Sequence, residues 1–258
     1  MLYYLIMKIK TILSIIPVLL LTGCLSTMGT VVDNLINQEA PLTEAEVARG
    51  LKEALGKGAE FAVSTLSVTD GYYGDPLLRL LLPPEADIVI DNIAKIPGGE
   101  KLLNDLILRI NRSAEEAASE AFPIFKNAIT EMTIIEAFDI LTGEDDAATR
   151  YFISKSYSPL VTLYEPHLNH ALDQDLLGGL SANETWYTLQ DLYNTLAESL
   201  IGKLGGMKAV EIDLSFYLTE RALDGIFLKV AEEEKAIREN PVKRVTDILK
   251  KVFGSLEN

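Results

Sequence analysis

The two histidines of the chain, His167 and His170, stand three residues apart. On a helix this spacing lets two imidazoles reach one metal ion from the same face. The nearest carboxylates are Glu165 and Asp173, and Pro166 argues against a regular helix at this point. We therefore interpret the pair as surface histidines, and we predict neither a metal site nor another cofactor.

The single cysteine, Cys24, has a sequence context that explains it. A short basic region precedes an apolar run over residues 12–21, which has the length of a signal-peptide core and is too short to span a bilayer as a helix. The run ends at Leu21-Thr22-Gly23-Cys24, which resembles the lipobox of bacterial lipoproteins. In such a box the thiol is the nucleophile that accepts a diacylglycerol, and the small residues before it give the signal peptidase access to the backbone.

We predict from this context that residues 1–23 are a lipoprotein signal peptide and that Cys24 becomes a lipidated N-terminus bearing palmitate-like chains. A start at Met7 would give a more usual signal length than a start at Met1. Three acyl chains exceed the two signals that stable membrane anchoring requires. An ordinary signal peptide or signal anchor with a chance cysteine is the alternative.

The residue after the cysteine is Leu25. In lipoproteins of Gram-negative bacteria an Asp at that position holds the protein at the inner membrane. The resemblance therefore implies an outer-membrane anchor with the chain facing the periplasm. Residues 24–41 are predicted to form the lipidated N-terminus and its tether, and residues 42–254 to form the folded domain.

Polar residues interrupt the two helices that the apolar pattern predicts to be central. On the helix over 100–121 we expect Arg112 and Glu115 on the face opposite an alanine-rich stripe, as exposed ion pairs or the lining of a polar pocket. Asn111 lies at the edge of that stripe and needs hydrogen-bond partners. Glu116 is expected on the same exposed face as Arg112.

The helix over 213–239 is apolar around more than half of its circumference, which is typical of a buried helix. Arg221 and Asp224 are three residues apart in it and are expected to form a partly buried ion pair, either structural or part of a site. Glu232-Glu233-Glu234 is expected to be a solvated run. With the turn residue Tyr72, the candidate binding residues are Tyr72, Asn111, Arg112, Glu115, Glu220, Arg221 and Asp224.

The composition argues against several classes of function. The chain has 258 residues, and its 23 basic and 38 acidic residues give a formal charge of -15. Because residues 1–23 hold two lysines and no acid, the mature chain would have 21 minus 38, or -17. Such acidity disfavours nucleic-acid binding. There is no G-x-S-x-G motif and no complete phosphate-binding loop, so no catalytic residues are assigned.

The remaining pattern is helical nearly throughout, and it predicts an all-α single domain of about eight helices. Capping boxes are expected at Thr43/Glu46, Thr133/Glu136 and Ser181/Glu184. Residues 77–83 are expected to be a short strand or an extended connector. The other predicted helices cover 85–96, a segment from Pro123, 147–156 before Pro159 and Pro166, and a last helix from Asn240-Pro241 to Phe253.

Several segments resemble the domain-of-unknown-function 4197 family of bacteria over roughly residues 40–253, and residues 167–182, the least characteristic part, are expected to be a loop. Members resemble exported or lipid-anchored envelope proteins, and the family brings no assigned reaction and no agreed catalytic residues. The segments that carry the resemblance are Leu51-Lys52-Glu53-Ala54-Leu55, Gly71-Tyr72, Asn111-Arg112-Ser113-Ala114-Glu115, Pro123-Ile124-Phe125, Glu131-Met132-Thr133, Asp146-Ala147-Ala148-Thr149-Arg150-Tyr151-Phe152, and Ala222-Leu223-Asp224-Gly225 through Ala231-Glu232-Glu233-Glu234-Lys235-Ala236-Ile237-Arg238.

Two classes of function follow. The first is a non-enzymatic, lipid-anchored module that binds an envelope component or an apolar ligand, with the membrane as its partner through the lipid. The second is a carboxylate- or metal-using enzyme with a site between the helices over 100–121 and 213–239, which requires their carboxylates to converge in a cleft. A structural spacer without a ligand is a third reading, which a large exposed apolar patch would oppose.

Overall fold

A computed structural model describes residues 42–87, 90, 97–177, 179–244 and 246–254. The predicted signal peptide, Cys24 and the whole tether lie outside the described residues, as does most of the predicted helix over 85–96. The helices are α1 (Glu44–Leu66), α2 (Gly99–Ser119), α3 (Phe122–Glu131), α4 (Ile134–Thr142), α5 (Ala147–Asp173), α6 (Ala182–Glu198), α7 (Leu200–Leu204), α8 (Leu214–Glu239) and α9 (Asp247–Gly254).

The described part of the chain contains one small strand pair, β1 (Asp175–Leu177) and β2 (Leu180–Ser181), which pair antiparallel. The predicted all-α class is confirmed. Residues 77–83 form a turn and an irregular connector that ends at a short 3-10 turn, Pro84–Ala86. No described helix is both long and apolar enough to cross a bilayer.

Side-chain caps define several helix ends. The Thr133/Glu136 capping box is confirmed, with both reciprocal hydrogen bonds present, and α4 ends before Gly143. At the start of α6, the Ser181 and Glu184 side chains each accept from the other's backbone N–H. The last helix was predicted wrongly: Asn240 caps only the 3-10 turn Pro241–Lys243, and α9 begins at Asp247.

The longest helix, α5, contradicts the prediction that it would stop at Ser156. It continues through Pro159 and Pro166 to Asp173, so the expected loop over 167–182 is the end of α5 followed by the β1–β2 hairpin. Both prolines are exposed, where water can hydrate the carbonyls that lose their helical donors. The opposite face is completely buried at Phe152, Leu160, Tyr164 and Leu168, and this burial maintains the helix through both interruptions.

The core lies where α5 and α8 pack along each other, with α1 against α8 and α2 against α5. Its aromatic centre joins three helices. The ring of Phe125 meets Phe152 edge-on at 5.1 Å and Phe227 edge-on at 6.3 Å, measured between ring centroids. Such edge-to-face contacts stabilise a core beyond the burial of their area.

The acidic run at the end of α8 is also packed, so the prediction of a solvated run was wrong. Glu233 and Glu234 are buried, and only Glu232 is exposed. The Glu234 carboxylate accepts hydrogen bonds from the backbone N–H groups of Ala148 (3.0 Å) and Thr149 (2.8 Å) at the start of α5. It also pairs with Arg238 at 2.8 Å. A buried carboxylate thus caps the N-terminus of the central helix.

Candidate functional site

The loop over residues 67–83 links most of the candidate residues, because its backbone is bonded to α2 at both halves and the Tyr72 side chain reaches α8. One Glu115 oxygen accepts the backbone N–H groups of Tyr72 (3.2 Å) and Tyr73 (3.3 Å). Its other oxygen accepts from Arg112 at 2.6 Å, and Arg112 also reaches Asp70 at 2.7 Å. Glu115 is buried, so its predicted place on the exposed face of α2 was wrong.

Asn111 holds the second half of the same loop. Its side-chain oxygen accepts the backbone N–H of Leu80 at 2.9 Å, and its amide nitrogen donates to the Leu80 carbonyl at 2.9 Å. The same nitrogen donates to the Ile107 carbonyl at 2.7 Å. Asn111 is completely buried, so these bonds satisfy backbone groups of the loop that water cannot reach.

Tyr72 carries the loop into the core. Its hydroxyl donates to the carbonyl of Ala222 on α8 at 2.9 Å and lies 3.4 Å from the hydroxyl of Tyr164 on α5. Burial, with smaller contributions from Tyr164 and Glu115, raises the pKa of Tyr72 well above 10. Burial also raises the pKa of Tyr164. Both phenols stay protonated at neutral pH and act as packing and hydrogen-bonding groups.

On its outer side the loop forms a groove with α8, which we call the loop–α8 groove. Its cavity volume is about 270 Å³. Its apolar lining includes Leu77 and Leu81 of the loop and Leu228 of α8, which are all exposed, above the buried Leu78 and Leu80. Its polar lining is Arg79, Tyr217, Arg221 and Asp224.

Two arginines lie in this groove together with Asp224 and Tyr217. The Arg79 side chain donates to the Tyr73 carbonyl at 2.6 Å and lies over the Tyr73 ring, 4.5 Å from its centroid. Arg221 pairs with Asp224 at 2.8 Å. That pair was expected to be partly buried, but its side chains are 53% and 62% exposed, which leaves the guanidinium accessible from the groove.

The structure separates the remaining carboxylates. Glu115 accepts hydrogen bonds from the loop backbone and from Arg112, whereas Glu220 accepts one from the hydroxyl of Tyr157 at 3.5 Å. The carboxylates of α2 and α8 therefore belong to separate hydrogen-bond networks. Both helices pack chiefly against other elements, above all α5, which holds the two sets of candidate residues apart.

The histidine pair is divided between two surroundings. His167 is half-buried and faces Glu116 and Glu120 of α2, at 4.0 Å and 3.7 Å, and His170 is exposed. Among the described residues, no group of three or more histidine, cysteine or acidic side chains is arranged to hold a metal ion.

Sequence reasoning missed most of the groove, including Arg79, Tyr217, Gly225 and its three exposed leucines. One signal was available: five leucines surround a single arginine over residues 77–82, directly before Pro83-Pro84. The run predicts a short strand or an extended connector and says nothing of which side chains are exposed. In the structure the segment is irregular, and buried and exposed side chains alternate along residues 77–81.

Comparison with known proteins gives a family and nothing beyond it. The model of a family described as "Protein of unknown function (DUF4197)" matches residues 41–254. No curated protein matches the chain. No solved structure matches it.

Proposed function

The chain belongs to the DUF4197 family of proteins of unknown function, and we propose that it is a lipid-anchored envelope protein that binds an acidic amphiphile in the loop–α8 groove. By an acidic amphiphile we mean an apolar chain with an anionic head group. The anchor is Cys24, supported by the basic region, the apolar run and the four-residue box. Because Leu25 follows the cysteine, the proposed location is the outer membrane, facing the periplasm.

The observation that supports a ligand is the composition of the groove. Exposed leucines from two elements face one space, and apolar area of this kind stabilises a bound chain by about 25 cal/mol per Å² removed from water. The cavity volume of the groove, about 270 Å³, lies just below the lower end, about 300 Å³, of the usual range for small-molecule sites. Arg79 and Arg221 supply two cations and Asp224 one anion, so the lining has a net positive charge, which favours an anionic head group over a neutral one.

We propose binding without catalysis because the buried carboxylates already have structural partners. Glu115 is occupied by two backbone N–H groups and Arg112, and Glu234 by the start of α5 and Arg238. The phenols of Tyr72 and Tyr164 are raised in pKa by burial, so neither is suited to act as a base near neutral pH.

The anchor is tested by metabolic labelling with palmitate in cells that express the full chain. Label should enter the wild type and be lost in Cys24→Ala, and fractionation should place the labelled chain with the outer membrane. Label that persists in Cys24→Ala would remove the anchor from this proposal, and label in the inner-membrane fraction would correct only the destination.

The ligand is tested by extracting lipids that co-purify with the full chain and identifying them by mass spectrometry. We expect an acidic amphiphile in about one equivalent per chain. Leu228→Glu should abolish it, because it places a charge on the apolar wall. Ile135→Glu is the control, since Ile135 is also a large exposed apolar side chain, 74% exposed against 41% for Leu228, but lies on α4. Equal loss in both variants, or no bound lipid in the wild type, would contradict the proposal.

A further inference from the structure

Helix α6, helix α7 and the segment over 205–213 form an arm that is held together largely by its own side chains. The Asn194 amide accepts the N–H of Val210 and donates to its carbonyl, both at 2.8 Å. Gln190 accepts the N–H of Ile212 at 2.9 Å, and the Trp186 indole donates to the Ile212 carbonyl at 2.8 Å. The return segment is thus bonded along α6, and α7 occupies the bend between them.

Helix α7 places three large apolar side chains in solvent. Leu200, Ile201 and Leu204 are 76%, 78% and 81% exposed. A five-residue helix with this much exposed apolar surface has little packing of its own, and its ordering depends on the Ser199 cap on Gly202 and on contacts with α6. Exposed apolar clusters of this kind usually mark a surface that is covered by something else.

The charge of the same segment identifies what would cover it. Within residues 199–210 the charged side chains are Lys203 and Lys208, and the acids Glu198 and Glu211 lie just outside this stretch, in a chain whose formal charge is -15. At physiological ionic strength charges interact over only about 8 Å, so the charges on and beside α7, rather than the acidic body as a whole, act on a surface that touches its exposed apolar side chains. Exposed leucine and isoleucine beside lysine is the composition of segments that lie in the interface of an anionic bilayer.

We propose that α7 is a second membrane contact, with Leu200, Ile201 and Leu204 inserted at the bilayer interface and Lys203 and Lys208 facing anionic head groups. The proposal rests on the proposed anchor at Cys24 for keeping the arm near a bilayer. Residues 25–41 can span at most about 60 Å when extended, so an anchored domain stays within reach of its membrane. At that effective concentration a weak contact is enough to orient the domain.

The test uses the full chain with its lipid anchor, reconstituted in vesicles of phosphatidylethanolamine and phosphatidylglycerol. Because Cys24 is the only cysteine and is acylated in this account, Leu204→Cys introduces the single free thiol for an environment-sensitive fluorophore. Ile135→Cys is the matched control, an exposed apolar position on α4 in the same anchored chain. The emission of the label at position 204 should shift to the blue. Lipids with a nitroxide on the acyl chain should quench it several-fold more strongly than the label at position 135.

Charge reversal at Lys203 and Lys208 together should remove most of this difference. Equal quenching at 204 and 135 would overturn the proposal. A blue shift at 204 that grows with protein density and resists nitroxide lipids would also overturn it, because it would identify a protein as the occupant. A wild-type chain that takes up the fluorophore at Cys24 would refute the anchor alone. In that case the quenching at positions 204 and 135, measured on a Cys24→Ser background added to vesicles, would decide whether α7 contacts the membrane.

Discussion

Gly225 of α8 lies directly against the ring of Tyr72: a Cβ at Gly225 would come within 2.9 Å of the Tyr72 Cε1 atom. Tyr72 is completely buried and bonded to Ala222 one turn earlier, so its ring has little freedom to move aside. The close approach joins the loop over 67–83 to the floor of the loop–α8 groove.

We therefore expect Gly225→Ala to destabilise the fold by about 1–3 kcal/mol, the usual cost of overpacking a core. The control is Gly56→Ala on α1, where an added Cβ meets nothing within 4 Å. That variant should gain about 0.5–1 kcal/mol from the better helix propensity of alanine. Urea unfolding gives the free energy of unfolding of both variants. Changes of the same sign would show that the contact with Tyr72 does not determine the effect of Gly225→Ala.

Glu234 should be far more important for stability than its neighbour Glu232. Glu234→Ala leaves Arg238 without its carboxylate partner in a buried position and removes the cap of α5, so we expect a loss of about 3–5 kcal/mol. Glu232→Ala removes an exposed carboxylate from Lys229, which keeps Asp75 as a partner at 3.7 Å, and should cost less than about 1 kcal/mol. Similar unfolding free energies for the two variants would contradict the described role of Glu234.

Asn111→Ala should loosen the loop over 67–83. It removes the bonds to both backbone groups of Leu80 in a buried place, which we expect to cost about 1–3 kcal/mol. Hydrogen exchange of the Leu80 amide should accelerate. Asn104→Ala, at an exposed position on the same helix, should leave exchange at Leu80 unchanged; acceleration in both variants would mean that α2 itself is weakened.

Glu136 should make the stability of the fold depend on pH at the start of α4. The backbone N–H of Thr133, then Lys155 and the Thr133 hydroxyl, lower the pKa of Glu136 to about 2. Since the unfolded value is about 4.3, the stabilisation is present above that pH and is lost as the pH falls toward 2. The stability difference between the wild type and Glu136→Gln, measured by thermal unfolding, should shrink over this window. A difference that stays constant from pH 6 to about 2 would refute the assignment.

Local signals predicted much of the fold, because capping and apolar periodicity act over a few residues. The Thr133/Glu136 box and the boundaries of α8 were predictable for this reason. The length of α5 was not, since the tertiary burial of Leu160, Tyr164 and Leu168 outweighs the two prolines. No local rule reports that burial.

The candidate site was less predictable than the fold. Arg221 and Asp224 were found because a charged pair is conspicuous in an apolar helix, although their exposure was misjudged. Glu115 and Glu234 were assigned to solvent because carboxylates usually are. Their partners are backbone N–H groups far away in the sequence. Burial of the two carboxylates is favourable only once the loop and the start of α5 are in place to supply those groups.

The most direct test of the central claim, an acidic amphiphile in the loop–α8 groove, is photo-crosslinking in intact cells. A long-chain fatty acid with a photoactivatable group on its chain is supplied to cells that express the full chain, and the adducts are mapped by peptide mass spectrometry. We predict adducts within residues 77–81 and 217–228 that disappear in Leu228→Glu and persist in Ile135→Glu. In Arg221→Gln, labelling by the acid should fall while labelling by the matching fatty alcohol is unchanged. Adducts spread over other exposed apolar positions, or equal labelling of Leu228→Glu and the wild type, would contradict the account.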